Sequence, residues 1–67
     1  MRIDRIRLIT ELAKRDMTQA RLAELSGVSR ATINYIRCGK SCSEEVGQKI
    51  AKALKLDVTQ IIEQKGE

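Results

Sequence analysis

Residues 18–37 read TQARLAELSGVSRATINYIR, and this stretch decides the fold. Its apolar residues form two short helical stripes instead of one continuous face. The stripes consist of Leu22, Ala23 and Leu25, followed by Val28, Ile33 and Ile36. Gly27 lies between them and can adopt the left-handed conformation that ends a helix, while Thr18 and Ser29 are good N-cap residues. The sequence therefore predicts a helix, a tight turn and a second helix.

The outward face of the second predicted helix is polar and basic. Opposite its apolar stripe, this helix presents Ser29, Arg30, Ala31, Asn34, Tyr35 and Cys38. No acidic residue occurs in positions 25–43, although Arg30, Arg37 and Lys40 lie there. Such a face suits a polyanion.

Several spaced residues together carry a resemblance to a known family. They are Thr18-Gln19, Leu22-Ala23, Gly27-Val28-Ser29, Ile33, Ile36 and Gly39-Lys40. At this spacing they are similar to the helix-turn-helix of phage lambda repressor and Cro-type regulators. The apolar residues of positions 46–62 extend the resemblance over nearly the whole chain. It implies an all-α fold: one compact, five-helix, lambda-repressor-like DNA-binding domain over residues 1–67, with the helix-turn-helix at about 18–37 and a loose tail at about 64–67.

Three further helices are expected around the motif. A first helix from about Asp4 to Arg15 is predicted by apolar residues at helical spacing, namely Ile6, Leu8, Ile9, Leu12 and Ala13. Ser43 is expected to cap a fourth helix with a buried stripe of Val46, Ile50 and Leu54. Asp57 is expected to cap a short fifth helix carrying Val58, Ile61 and Ile62. Gly47, inside the fourth helix, has no explanation at this level.

Composition limits the classes of function. A chain of 67 residues makes one domain, close to the smallest that folds without a disulfide or metal. No run approaches the ~18 apolar residues of a membrane span, and charges occupy the N-terminus where a signal peptide is apolar, so we expect a cytoplasmic protein with no membrane partner. With no histidine, no phosphate-binding loop and no nucleophile–base pair, neither an enzyme nor a cofactor, metal or small-molecule ligand is expected.

Charge is distributed unevenly within a net charge of +4. Residues 1–40 hold nine basic and four acidic side chains, whereas residues 41–67 hold four and five. An anionic partner would therefore meet the N-terminal half, and ordinary solvated surface is the alternative. Arg2, Arg5 and Arg7 are either a basic arm toward DNA or solvated, fraying charge. Cys38 and Cys42 are either a redox-sensitive loop or incidental thiols.

Two positions depart from the family pattern. Many relatives pair an Arg in the first helix with a Glu ending the recognition helix, but the matching residues here are Leu12 and Arg37. Arg37 then needs another partner, either a phosphate or solvent. Arg21 lies in the first turn of its helix, where the macrodipole disfavours a cation. A bound phosphate would offset that cost, and neutral drift is the alternative.

The resemblance implies a sequence-specific regulator of transcription, expected to be a repressor that binds a pseudo-palindromic operator in double-stranded DNA as a homodimer. The residues expected to read bases are Ser29, Arg30, Ala31, Asn34 and Tyr35. Those expected to contact phosphates are Thr18, Gln19, Arg21, Arg37 and Lys40. The candidates for the dimer contact are Val58, Ile61 and Ile62, with burial in the monomer core as the competing account.

Two other functions fit the same fold. One is a protein-interaction module such as an antitoxin or anti-repressor, which an exposed apolar patch at Ile61 and Ile62 would favour. The other is a structural nucleoid protein, which would show weak sequence preference.

Overall fold

A computed structural model gives the fold and describes residues 1–63. These residues form four α-helices and one short 3₁₀ turn: α1 (Arg5–Lys14), α2 (Gln19–Ser26), α3 (Arg30–Arg37), α4 (Glu44–Ala53) and the 3₁₀ turn Val58–Gln60. Within them the only extended pairing is an isolated bridge between Ile3 and Ile62. The all-helical class is therefore confirmed, and α2 and α3 form the helix-turn-helix. The loose tail expected at 64–67 lies outside the described residues.

A side-chain oxygen caps the start of every α-helix in this part of the chain, supplied by Asp4, Thr18, Ser29 and Ser43. The Thr18 hydroxyl accepts a hydrogen bond from the Arg21 amide at 3.1 Å, and the Ser29 hydroxyl accepts one from the Thr32 amide at 3.2 Å. Each cap satisfies an amide that has no partner within its own helix. The caps predicted at Thr18, Ser29 and Ser43 are thus confirmed.

Residues in the left-handed conformation end the helices. Gly27 follows α2 with a φ of 75°, and Gly39 follows α3 with a φ of 94°. Asp16 and Lys55 hold the same conformation after α1 and α4, with φ values of 52° and 59°. After Asp16, Gly39 and Lys55, the next amide donates to the carbonyl five residues earlier at 2.9–3.0 Å, which closes the helix end.

Replacing Gly27 with valine is expected to destabilise the domain by more than ~1 kcal/mol, because a β-branched residue is strained at positive φ. A Cβ at this position would meet no atom within 4 Å, so the backbone conformation alone sets the cost. Gly27→Asn is the matched control, since asparagine tolerates this conformation. Thermal melting should separate the two variants, and equal melting temperatures would mean that the turn does not depend on φ at Gly27.

Aliphatic side chains from all four helices, from the N-terminal segment and from the segment after the 3₁₀ turn fill the interior. The fully or nearly fully buried apolar residues are Ile3, Leu8, Leu12, Leu22, Val28, Ile33, Ile36, Ile50, Ala51, Leu54 and Ile61. Three of the apolar residues that predicted α1 are exposed: Ala13, Ile6, which is 65% exposed, and Ile9, which is 40% exposed. Because α1 turns Leu8 and Leu12 inward, these isoleucines fall on its opposite side.

The N-terminal residues pair with the end of the described chain. The Asp4 amide donates to the Ile61 carbonyl, and the Glu63 amide donates to the Arg2 carbonyl, both at 2.8 Å. Ile3, between these bonds, is 1% exposed. Arg2 therefore belongs to an ordered, paired segment, and neither the arm nor the fraying end expected from the sequence describes it.

The fifth α-helix expected after Asp57 is not confirmed, because this segment forms a single 3₁₀ turn. After Gln60 the helix does not continue: Ile61 has a φ of −120° and a ψ of −7°, and its carbonyl accepts a hydrogen bond from the Asp4 amide of the N-terminal segment. The Ile61 side chain is fully buried in the monomer. Burial in the core therefore accounts for this residue, and its side chain is not available for a dimer contact.

A buried acid anchors an arginine that connects the end of α1 to the end of α4. Glu11 is 3% exposed and pairs with Arg15 at 2.6 Å and Arg7 at 2.9 Å, with Lys14 at 3.6 Å. The hydrogen bond from Arg15, helped by Arg7 and Lys14, lowers the pKa of Glu11 despite its desolvation. Arg15 also donates to the Leu54 carbonyl at 2.8 Å, at the end of α4. Arg15 thus joins the end of α1 to the end of α4. The ion pair between α1 and α3 considered from the sequence cannot form, because its two positions hold Leu12 and Arg37.

Gly47 makes room for the first residue of the chain. A side chain at this position would collide with the thioether of Met1, which lies against the helix. The Met1 carbonyl accepts from the Cys42 amide at 2.8 Å, which keeps the first residue beside α4. The missing side chain thus accounts for the one glycine that the sequence left unexplained.

Candidate nucleic-acid interface

The start of α2 and the first turns of α3 form a shallow groove of about 340 Å³. Its lining residues are Gln19, Arg30, Ala31 and Asn34. Gln19 and Arg30 are the first residues of their helices, so the packing of α2 on α3 brings the two helix starts together. Arg30, Ala31 and Asn34 are exposed, as a surface that reads base edges requires.

Gln19 lies closer to the base-reading candidates than the sequence indicated. It was expected to contact phosphate, yet it lines the same groove as Arg30 and Asn34. The helix starts were recognisable from the caps at Thr18 and Ser29, but their distance apart depends on the angle between α2 and α3. Helix boundaries alone do not give that angle.

The other two base-reading candidates lie outside this groove. The Ser29 hydroxyl caps α3 and lies 2.8 Å from the Thr32 hydroxyl, so its hydrogen bonds are largely satisfied within the helix start. Tyr35 is 61% exposed on the outer face of α3, with its ring free to contact a sugar or base. Their roles in base readout stay predictions.

Three of the phosphate candidates share a second cavity, of about 260 Å³, at the junction of α1, α2 and α3. Its polar lining consists of Thr18, Gln19 and Arg37, and its apolar lining consists of Ile9, Leu12, Ala13 and Met17. The Gln19 amide nitrogen and the Arg37 Nε are buried and have no hydrogen-bond partner in the described part of the chain. Two donors without acceptors therefore lie beside the N-terminus of α2, where backbone amides also favour an anion.

The remaining two phosphate candidates lie on the open surface. Arg21 pairs with Glu24 at 2.6 Å, with both side chains more than half exposed. This pair offsets the unfavourable position of Arg21 in the first turn, so a bound phosphate is not required to explain it. Lys40 is exposed directly after Gly39 and forms no ion pair with any described residue.

The two cysteines differ in their surroundings. Cys38 is exposed at the end of α3, and Cys42 is half-buried in the following loop. Burial raises the pKa of the Cys42 thiol, which disfavours its reactive thiolate form. The redox role considered from the sequence stays untested.

None of the helices in residues 1–63 is long and apolar enough to cross a lipid bilayer. A family model described as a Cro/C1-type HTH DNA-binding domain matches residues 7–67 of the chain. No curated protein and no solved structure matches the chain.

Proposed function

The chain belongs to the Cro/C1-type helix-turn-helix DNA-binding family, and we propose that it is a sequence-specific transcriptional repressor whose dimer binds a pseudo-palindromic operator. The observation that carries this proposal is the groove where Gln19, Arg30, Ala31 and Asn34 meet on the exposed face of α3. This groove joins the Arg30 guanidinium, the Asn34 carboxamide and the Ala31 methyl group, and Gln19 borders it from α2. Arginine recognises guanine with two hydrogen bonds, a carboxamide recognises adenine in the same way, and a methyl group contacts the thymine methyl.

We place the principal phosphate contact at the cavity lined by Thr18, Gln19 and Arg37. Its two unpartnered donors and the N-terminus of α2 would together hold a phosphate oxygen. Such a contact would explain why this chain carries Arg37 where many relatives carry a glutamate. It would fix the register of α3 in the major groove of the DNA without reading sequence.

Arg37→Gln should weaken binding to all duplexes to a similar extent and reduce the slope of log affinity against log salt by about one. Arg5→Gln is the matched control, because Arg5 is an exposed cation of α1 outside this cavity. Fluorescence anisotropy at several salt concentrations measures both slopes. If the two variants changed the slope equally, the cavity would not be a specific phosphate site.

We infer that the dimer contact lies where residues 2–4 pair with residues 61–63. Ile62 is half-buried there, and Ile6, just after the Asp4–Ile61 hydrogen bond, is 65% exposed. Together they supply the exposed apolar area that a two-fold contact needs, now that Ile61 belongs to the core. Val58 is half-buried on a different groove and is the weaker candidate.

Ile62→Glu should leave the fold intact but shift the free protein toward monomer and abolish the joint binding of two chains to an operator. Leu25→Glu serves as the control, since Leu25 is 46% exposed and remote in sequence from the chain ends. Analytical ultracentrifugation with and without duplex gives the number of chains bound. Two chains per operator in Ile62→Glu would move the contact elsewhere.

Selection of duplexes from a random pool tests the function as a whole. A repressor of this kind should enrich two inverted half-sites spaced about one helical turn, 10–10.5 base pairs, apart. Duplex binding that enriches no particular sequence would instead indicate a structural nucleoid protein. No duplex binding would favour the protein-interaction module, although the apolar patch expected for it is reduced by the complete burial of Ile61.

A further inference from the structure

Two neighbouring cavities on the outer side of α4 share Lys49 and Lys52 in their lining and are here together called the α4 groove. The larger, of about 760 Å³, is lined by Gln48, Lys49, Lys52, Lys55, Leu56, Asp57 and Val58. The smaller, of about 490 Å³, is lined by Leu25, Ser26, Lys49, Lys52 and Ala53. Lys49 and Lys52 border both, so the groove runs from the end of α2, past α4, to the start of the 3₁₀ turn.

The floor of the α4 groove is apolar. Leu25 is 46% exposed and is among the few large apolar side chains of the described residues that lie open to solvent. Ala53, Leu56 and Val58 are half-buried against the core and present their remaining surface to the groove. An apolar strip of this kind, bordered by charge, is typical of a surface that binds another protein.

The rim of the α4 groove is cationic. Lys52 and Lys55 form no ion pair with any residue in positions 1–63, and Lys49 has only a 3.5 Å contact with Glu45, which is 79% exposed. Asp57 is the one acidic residue in the lining, and its carboxylate already accepts hydrogen bonds from the Thr59 amide and hydroxyl at 3.0 and 2.9 Å.

The α4 groove is separate from the groove at the start of α2 and α3 that is proposed to read DNA. The two share no lining residue, and Gln19 and Leu25 lie at opposite ends of α2, about 9 Å apart along its axis. A partner in the α4 groove could therefore bind while α3 remains available to a duplex.

We propose that the α4 groove docks an acidic, amphipathic helix from another protein, with its apolar face on Leu25 and Val58 and its carboxylates beside Lys52 and Lys55. Charge complementarity selects this occupant. A second copy that met it through the same face would place three lysines opposite three lysines, with the Asp57 carboxylate already engaged. A nucleic acid backbone would match the lysines but leave the apolar floor without a partner. This docking function goes beyond DNA binding and would couple the repressor to a second protein.

The probe for the test is a model helical peptide with leucines on one face and glutamates on the other, compared with a scrambled peptide of the same composition. NMR titration of the full chain should show shifts concentrated at Leu25, Lys52 and Val58 for the amphipathic peptide. The scrambled peptide should bind at least about tenfold more weakly, because it cannot match apolar and charged contacts together.

The double variant Lys52→Glu/Lys55→Glu should weaken the amphipathic peptide by at least about tenfold, because two attractions become repulsions. Arg5→Glu, which reverses an exposed charge outside the groove, should leave the affinity unchanged. Leu25→Glu provides a second variant, in α2, in case the α4 substitutions disturb folding. Operator affinity measured on the same variants separates a failure of docking from a failure of DNA binding.

Three outcomes would overturn the proposal. One is equal binding of the two peptides, and another is peptide shifts spread over the whole surface. The third is a duplex that produces the same shifts at Leu25, Lys52 and Val58, which would make the groove a nucleic-acid contact.

Discussion

Shortening Ile61 to alanine is expected to destabilise the domain by about 2–5 kcal/mol, the cost of removing a large aliphatic side chain from a well-packed interior. The side chain is fully buried in the monomer, and the Ile61 carbonyl holds the N-terminal segment through Asp4. A domain of this size has only a few kcal/mol of net stability. Ile61→Ala should therefore be largely unfolded at ordinary temperatures.

Ile62→Ala is the matched control, because its side chain is half-buried and directly follows Ile61. It should cost distinctly less than Ile61→Ala in urea or thermal unfolding. Repeating the unfolding at several protein concentrations separates the two roles considered for this segment. If the loss in Ile61→Ala disappeared at high protein concentration, Ile61 would act at a dimer interface and not in the monomer core.

Features that depend on neighbouring residues were predictable from the sequence. The caps at Thr18, Ser29 and Ser43 and the left-handed turn at Gly27 require only a short polar side chain or a missing Cβ at one position. The period of the apolar residues then gave the helices between them. This local information placed the four α-helices but left the chain ends undetermined.

The chain ends could not be predicted because they depend on residues far apart in sequence. Ile3 and Ile61 become buried only when the N-terminal segment pairs with the segment after the 3₁₀ turn. The Ile61 carbonyl, which a fifth α-helix would use within itself, instead accepts a hydrogen bond from the Asp4 amide. Short apolar runs at a chain end are equally compatible with a helix, an extended pair or an interface.

The burial of Glu11 in α1 could not be predicted from the sequence for the same reason. Arg7, Glu11 and Arg15 are spaced like an ordinary surface ion-pair series on a helix. Glu11 is nonetheless 3% exposed, and its partner Arg15 donates to the Leu54 carbonyl at the end of α4. Spacing along one helix is compatible with the pairing, but the burial of the acid depends on the packing of distant segments, which spacing does not give.

The residues of the proposed DNA-reading face were predicted from one helix, but their grouping with Gln19 was not. Which side of α3 faces outward follows from its apolar stripe, so Arg30, Ala31 and Asn34 were recognisable. The presence of Gln19 beside them follows from how α2 packs on α3. The function of each side chain in this groove stays a prediction until a complex with DNA is measured.

Replacing Arg30 with alanine is expected to cost about 1–3 kcal/mol in binding to the preferred operator and to relax selectivity at one base pair of each half-site. Arg30 is exposed at the first position of α3 and lines the groove with Asn34 and Gln19, where its guanidinium can reach a guanine edge. It forms no ion pair with any residue in positions 1–63 that would have to break first. The loss should therefore depend strongly on the base presented to it.

Lys40→Ala is the matched control, because it also removes one exposed cation close to α3 but from the loop after Gly39, where a phosphate is the expected contact. It should weaken all duplexes similarly and flatten the salt dependence, leaving the order of preferred sequences unchanged. Binding of both variants to a panel of single-base operator changes, at two salt concentrations, distinguishes the two patterns. A uniform loss of affinity in Arg30→Ala would make Arg30 a phosphate contact and would leave Asn34 as the principal base reader of the groove.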